Sequence, residues 1–76
     1  MLFQSQDGSV LIQTTAVFIY YEKDRNIYYL YACNNSGEFD VGIFDTEFQA
    51  QTILKDAQKH LESSEANSIY QVPYRI

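Results

Sequence analysis

The sequence predicts an α+β fold: an antiparallel meander sheet of about five strands packed on one C-terminal helix, with a short terminal strand. Three observations lead to this prediction. The first half of the chain is rich in β-branched and aromatic residues separated by short polar turns. The apolar residues then change to a helical spacing, and a last apolar run stops at Pro73. With 76 residues in all, we expect 1–76 to form a single small domain.

The first two predicted strands flank Asp7-Gly8, a strong hairpin signal because both central positions of such a two-residue turn need a positive φ. In that register Phe3 pairs with Ile12. Met1, Phe3, Val10 and Ile12 then share one face, which we expect to point inward.

Two further hairpins are predicted. Ala16–Glu22 and Ile27–Cys33 are dense in β-branched and aromatic residues, and the polar turn Lys23–Asn26 separates them. Glu38–Phe44 follows Asn34–Gly37, whose Asn and Gly residues tolerate left-handed conformations. These segments complete the predicted meander.

A helix is predicted from Thr46 to about Ala66. One stripe of apolar residues has helical spacing: Ala50, Ile53, Leu54, Ala57 and Leu61. Thr46 and Gln49 have the spacing of a capping box, and Asn67 is expected to cap the other end. Ile69–Val72 then predicts a short strand that lies at a sheet edge or ends at Pro73, because Pro73 cannot donate to a ladder.

The turns assign two apolar faces to the meander. The face expected under the helix carries Val17, Ile19, Tyr21, Tyr28, Leu30, Ala32, Phe39, Val41 and Ile43. The opposite face carries Phe18, Tyr20, Tyr29, Tyr31, Asp40, Gly42 and Phe44. One helix covers only one face, so the second is expected to be buried against a second copy or another partner. A three-residue loop in either hairpin would exchange the two faces.

Charge and composition disfavour several functions. Ten acidic against five basic residues give a net charge of −5, and no Lys or Arg occurs between Asn26 and Leu54, so we expect no nucleic-acid binding. The apolar runs are too short for a membrane helix, and no basic region precedes one as in a secretion signal. Cys33 is the single cysteine, which favours a cytoplasmic location.

Candidate catalytic groups are sparse. Cys33 and His60 could form a nucleophile and base, and Asp56 and His60 stand at i, i+4 as two metal ligands would, but neither set is complete. A buried cysteine and a solvated helix face are the simpler interpretations. We therefore predict no enzymatic activity, no cofactor and no metal.

Three short motifs resemble a loose group of short, uncharacterised proteins from Gram-positive bacteria and their phages. They are Ser5-Gln6-Asp7-Gly8, Phe44-Asp45-Thr46-Glu47 ahead of the helix, and Tyr70-Gln71-Val72-Pro73. The resemblance implies a strand, a Gln-Asp-Gly turn, a second strand, a helix and a tyrosine-containing end. It implies no activity, cofactor or catalytic residue.

The functional prediction is a non-enzymatic interaction module or homodimer. It would dock through Phe18, Tyr20, Tyr29, Tyr31 and Phe44. The alternative is a phage-type inhibitor or small-ligand-binding protein, in which Glu38 and Asp40 border the aromatic patch and attract a cationic surface.

Overall fold

The computed structural model describes residues 1–62 and 69–74. Its elements in chain order are β1 (Leu2–Gln4), β2 (Leu11–Gln13), β3 (Ala16–Glu22), β4 (Ile27–Asn34), β5 (Gly37–Phe44), α1 (Glu47–Glu62) and β6 (Ile69–Gln71). The α+β class, the helix and the short terminal strand are confirmed. The predicted cap at Asn67, and any helix beyond Glu62, lie outside the described residues.

The strands form two three-stranded sheets rather than one continuous meander. Strands β3, β4 and β5 are the predicted meander, whereas β1 pairs antiparallel with β2 and parallel with β6. The chain changes sheets at Thr14 and Thr15: the Thr14 amide donates to the Met1 carbonyl in the smaller sheet, and the Thr15 amide donates to the Cys33 carbonyl in the larger one, both at 2.9 Å. Strand β6 lies at an edge of the smaller sheet and ends at Gln71, before Pro73, which agrees with the prediction.

The first hairpin has the predicted register but a different turn. Phe3 pairs with Ile12 as expected. The Ser5 amide donates to the Val10 carbonyl at 2.9 Å, so the loop between them has four residues instead of two. Gly8 adopts φ +77°, whereas the positive φ predicted for Asp7 is wrong, because among the described non-glycine residues only Asn26 has one. Of the predicted inward set, Phe3 and Ile12 are buried, whereas Val10 is exposed.

The second hairpin follows the prediction throughout, and the third departs from it at one residue. In β3 and β4, Ile19 pairs with Leu30 as predicted. Between β4 and β5, Tyr31 pairs with Asp40 but Leu30 pairs with Gly42, so Val41 is an extra residue that forms a β-bulge. The bulge reverses the faces of every residue that follows it in β5.

Three predicted face assignments are therefore wrong. Phe44 now pairs with Tyr28 and is 1% exposed, so it belongs to the core and not to the outward aromatic patch. Gly42 likewise turns inward, opposite Leu30, and Ile43 turns outward, opposite Tyr29. The cause is the extra residue, because a shift of one position exchanges the two sides of a strand.

The core lies between the inner face of β3–β4–β5 and a layer formed by α1 and the smaller sheet. Its buried members are Phe3, Ile12, Leu30, Ala32, Val41, Phe44, Ala50, Ile53, Ala57, Tyr70 and Val72. Leu54 and Leu61 pack at its margin, as predicted for the helix stripe. At the start of α1 the Gln49 amide donates to Thr46 Oγ1 at 3.1 Å, which confirms the predicted N-cap.

Candidate aromatic docking site

Four aromatic side chains form a continuous group on the outer face of the larger sheet. This aromatic cluster consists of Phe18, Tyr20, Tyr29 and Tyr31. The antiparallel register sets Phe18 opposite Tyr31 and Tyr20 opposite Tyr29, and alternation along the two strands puts all four on one face. The Phe18 and Tyr31 rings stack with centroids 5.2 Å apart and an angle of 13° between their planes. Four of the five predicted aromatic site residues are thus together.

The remaining rings of the cluster meet at an angle. The centroids of Tyr20 and Tyr31 are 6.3 Å apart in an edge-to-face contact. Those of Tyr29 and Tyr31 are 6.2 Å apart, and those of Tyr20 and Tyr29 6.4 Å. Such tilted and stacked pairs are the arrangements that the ring quadrupoles favour, so the cluster is preorganised. Preorganised rings lose little conformational entropy when a partner binds.

The cluster is exposed although it is apolar. Tyr20 is 51% exposed and Phe18 36%, while Tyr29 and Tyr31 on the central strand are half-buried by their neighbours. No element in residues 1–62 or 69–74 covers this face, because α1 and the smaller sheet both pack on the inner side. An uncovered patch of rings on a small domain is typical of an interaction surface.

Acidic residues border the cluster on two sides. At one end Tyr29 Oη donates to Glu22 Oε2 at 3.1 Å, and this bond, with burial, raises the pKa of Tyr29. Arg25 reaches the same carboxylate, with its Nε 3.7 Å from Glu22 Oε2. On the other side, Asp40 lies opposite Tyr31 and Glu38 opposite Cys33, as the predicted register requires. The border of the cluster is therefore mainly negative.

An open groove of about 260 Å³ includes Asp40, the residue opposite Tyr31 of the cluster, in its lining. Its lining comes from the first hairpin loop, β5 and the end of the described chain: Ser5, Gln6, Asp7, Ser9, Val10, Asp40, Val41, Gly42, Ile43 and Tyr74. Partial burial raises the pKa of Asp40, and the nearby charge of Asp7 adds to this. Asp40 is nonetheless an exposed residue opposite Tyr31, so a cation can approach its carboxylate.

The groups that the sequence analysis weighed as a nucleophile, a base and metal ligands do not come together in one place. Cys33 lies on the outer face beside Glu38, and burial together with that charge raises the pKa of its thiol. His60 instead packs its ring against Tyr70, 4.6 Å between centroids, and Tyr70 donates to Asp56 Oδ2 at 3.0 Å. Asp56 and His60 therefore both serve to hold Tyr70. Within the described residues, no three His, Cys, Asp or Glu side chains are placed to bind a metal ion.

Gln6 is the residue near the site whose role the sequence interpretation missed. Its side-chain Nε2 donates to the carbonyls of Ile43 and Pro73, each at 3.0 Å, and its Oε1 accepts the Ile43 amide at 2.8 Å. Its own amide donates to the carbonyl of the bulged Val41 at 2.8 Å. Gln6 therefore holds the first hairpin against the edge of β5 next to the groove. A glycine inside a strand often marks a β-bulge. Gly42 was therefore the sequence signal for the bulge at Val41, which makes these Gln6 contacts possible.

No family model matches this chain, and no curated protein or solved structure shows significant similarity to it. The resemblance of the three short motifs therefore remains a prediction. In the part of the chain that the structure describes, no helix has the length and hydropathy required to cross a bilayer.

Proposed function

We propose that this chain is a non-enzymatic protein-interaction module and that the aromatic cluster is its docking surface for a second copy or another protein. The observation that carries the proposal is the stacked, uncovered group of four rings on the outer face, opposite the face on which the core packs. Aromatic residues supply most of the energy at protein interfaces because they bury large areas at little entropic cost.

The position of the acidic residues supports a protein partner over a nucleic acid. Glu38 and Asp40 lie on the same face as the rings, and Arg25 at the border is close to Glu22. Phosphates approaching this face would meet negative charge, which opposes binding. A cytoplasmic location belongs to the same proposal, because a lone Cys33 suits a reducing compartment.

Site-specific photo-cross-linking tests the proposal even while the partner is unidentified. A benzophenone-bearing phenylalanine is placed at Tyr31, in the centre of the cluster, and the protein is irradiated in the cells that encode it. The matched control is Phe48, an aromatic residue on α1 that is 81% exposed. We expect a discrete adduct from the Tyr31 position that the Phe48 position does not give. No adduct, or the same adduct from both positions, would contradict the proposal.

A second candidate function is binding of a cationic ligand or basic surface, as in a phage-type inhibitor or a small-ligand-binding protein. The observation that favours it is the exposed Asp40 opposite Tyr31, because a guanidinium could stack on the ring and pair with the carboxylate. The probe is a short arginine-containing peptide, followed by tyrosine fluorescence, with its citrulline-substituted twin as the neutral control. Binding that weakens with salt and in Asp40→Asn supports this function, and equal binding of both peptides contradicts it.

A further inference from the structure

The outer edge of β3 is a second unused surface of the larger sheet. Strand β3 pairs with β4 over seven consecutive residues, and no other element of residues 1–62 and 69–74 pairs with its other side. The strand Ala16–Glu22 contains one charged residue, at its end, and no proline, lysine or bulge. Natural proteins normally protect an edge with such features, because its free amides and carbonyls attract another strand.

The opposite edge of the same sheet is closed. Strand β5 carries Glu38 and Asp40, is interrupted by the bulge at Val41, and is covered by the backbone and side chain of Gln6. The two edge strands have similar lengths, 7 and 8 residues, so strand length does not explain the contrast between the two edges. Of the two edges of the larger sheet, as residues 1–62 and 69–74 describe it, the β3 edge is the one left able to accept an added strand.

We propose that two copies of this chain pair antiparallel along β3, so that their two larger sheets become one continuous sheet. A two-fold axis at Ile19 gives full overlap of the strands. It places Phe18 of one copy opposite Tyr20 of the other, on the same face as the aromatic clusters. Glu22 then lies opposite Ala16, so no like charges are paired. A two-fold interface of this kind is closed and does not propagate into fibres.

Charge favours a second copy at this edge over a second copy stacked on the aromatic face. In the edge-paired dimer the acidic strands β5 are the two outermost strands, about 24 Å apart at the usual strand spacing. This is roughly three Debye lengths at physiological ionic strength, so their repulsion is screened. Stacking face to face would instead bury Glu38 and Asp40 of both copies in a poorly solvated interface, because they lie on the same face as the rings.

The inference goes beyond the proposed function, because it assigns the second copy to the β3 edge and leaves the aromatic clusters for another protein. Both aromatic clusters would remain exposed on the same side and would form one larger docking surface. The two proposals can be refuted separately. Photo-cross-linking from Tyr31, on the central strand, tests the docking face, and hydrogen exchange of the β3 backbone tests the edge contact.

Cysteine pairs test the register in a Cys33→Ser background. Phe18→Cys and Tyr20→Cys are purified separately, mixed, and oxidised with diamide. Opposite residues of antiparallel strands have Cα atoms about 4.5–5.5 Å apart, within the range of a disulfide. Phe18 of one copy lies diagonally across from Phe18 of the other, at about 7–8 Å, which is outside that range. We expect the mixture to give at least about fivefold more covalent dimer than either variant alone. The control mixture is Phe18→Cys with Glu38→Cys, which should not cross-link.

Equal cross-linking in the single variants, or cross-linking through Glu38→Cys, would overturn edge pairing and indicate stacking of the faces. A strict monomer by light scattering at high concentration would also overturn it. Amide hydrogen exchange of the unmodified chain gives a check that needs no variant. The β3 amides that point away from β4 should exchange several-fold more slowly at dimer-forming concentrations, while the Ile43 amide, already bonded to Gln6, should not change. A dimer without slower β3 exchange contradicts the inference.

Discussion

The side-chain amide of Gln6 pairs with the backbone of Ile43 as a neighbouring strand would. The Ile43 amide donates to Gln6 Oε1 at 2.8 Å, and Gln6 Nε2 donates back to the Ile43 carbonyl at 3.0 Å. A single side chain thus continues the hydrogen-bond ladder at the edge of β5. Because Gln6 belongs to the first hairpin loop, the same contact ties the two sheets together.

Replacement of Gln6 by Leu should destabilise the fold. The substitution keeps the side-chain size but leaves the Ile43 amide and carbonyl without these partners, which typically costs about 1–3 kcal/mol of unfolding free energy. Urea unfolding followed by far-ultraviolet circular dichroism measures the difference. Gln51→Leu, at an exposed position of α1, is the matched control and should change stability by less than about 0.5 kcal/mol. Equal effects of the two changes would show that the Gln6 contacts contribute nothing.

Phe44→Ala and Phe48→Ala should differ sharply although they are only four positions apart. Phe44 is 1% exposed in the core, so its truncation should cost about 3–5 kcal/mol. Phe48 is almost fully exposed on α1, and its truncation should be nearly silent. Thermal unfolding of both variants checks this pair. A Phe44→Ala variant that melts like the parent would mean that Phe44 lies on the outer face, as the sequence alone suggested.

Gly42 has no room for a side chain. A Cβ atom at this position would lie 2.9 Å from Val72 Cγ1 and 3.2 Å from the Phe44 ring. Gly42→Ala should therefore destabilise the fold by about 1–3 kcal/mol through overpacking. Gly42→Ala should cost less unfolding free energy in a Val72→Ala background than in the parent, because the shortened side chain at position 72 makes space for the new Cβ. Strictly additive unfolding free energies would rule out this contact.

The sequence predicted what depends on local chemistry. Asp7-Gly8 located the first hairpin and its register, Lys23–Asn26 fixed the pairing of Tyr20 with Tyr29, and the apolar stripe with Thr46 located the helix. All of these features arise from residues that are close in the chain. The aromatic cluster followed from them, because a correct register determines which side chains share a face.

The features that the sequence interpretation missed depend on distant packing. The bulge at Val41 places Phe44 in the core, yet Ile43 and Phe44 are both apolar and the alternation alone does not say which one points inward. The parallel pairing of β1 with β6 joins the two ends of the described chain, and no local pattern marks it. Val72 lies close against Gly42, so the C-terminal segment is in contact with β5 directly after the bulge.

The turn at Asp7 should make stability sensitive to acid. Asp7 Oδ1 accepts bonds from the Ser9 hydroxyl, the Ser9 amide and the Ser5 hydroxyl, which lower the pKa of Asp7 to about 2 from 3.8. Since the folded pKa lies below the unfolded one, this stabilisation is present above about pH 4 and is lost as the pH falls toward 2. The stability difference between the parent and Asp7→Ala should shrink over that window in urea unfolding. A difference that does not depend on pH would exclude this role.

Cys33 should react slowly with alkylating agents, and Glu38 should be part of the reason. Burial raises the pKa of the Cys33 thiol, and the negative charge of Glu38, which lies opposite it on β5, raises it further. Because only the thiolate reacts, less of the reactive form is present at neutral pH. Glu38→Gln removes the charge and should increase the rate of iodoacetamide alkylation several-fold, with the midpoint of the pH–rate profile moving down. Asp24→Asn, an equal loss of charge in the exposed turn Lys23–Asn26, is the control and should leave the rate unchanged. A parent thiol already fully reactive at neutral pH would show that Cys33 is an activated nucleophile, contrary to a structural role on the outer face.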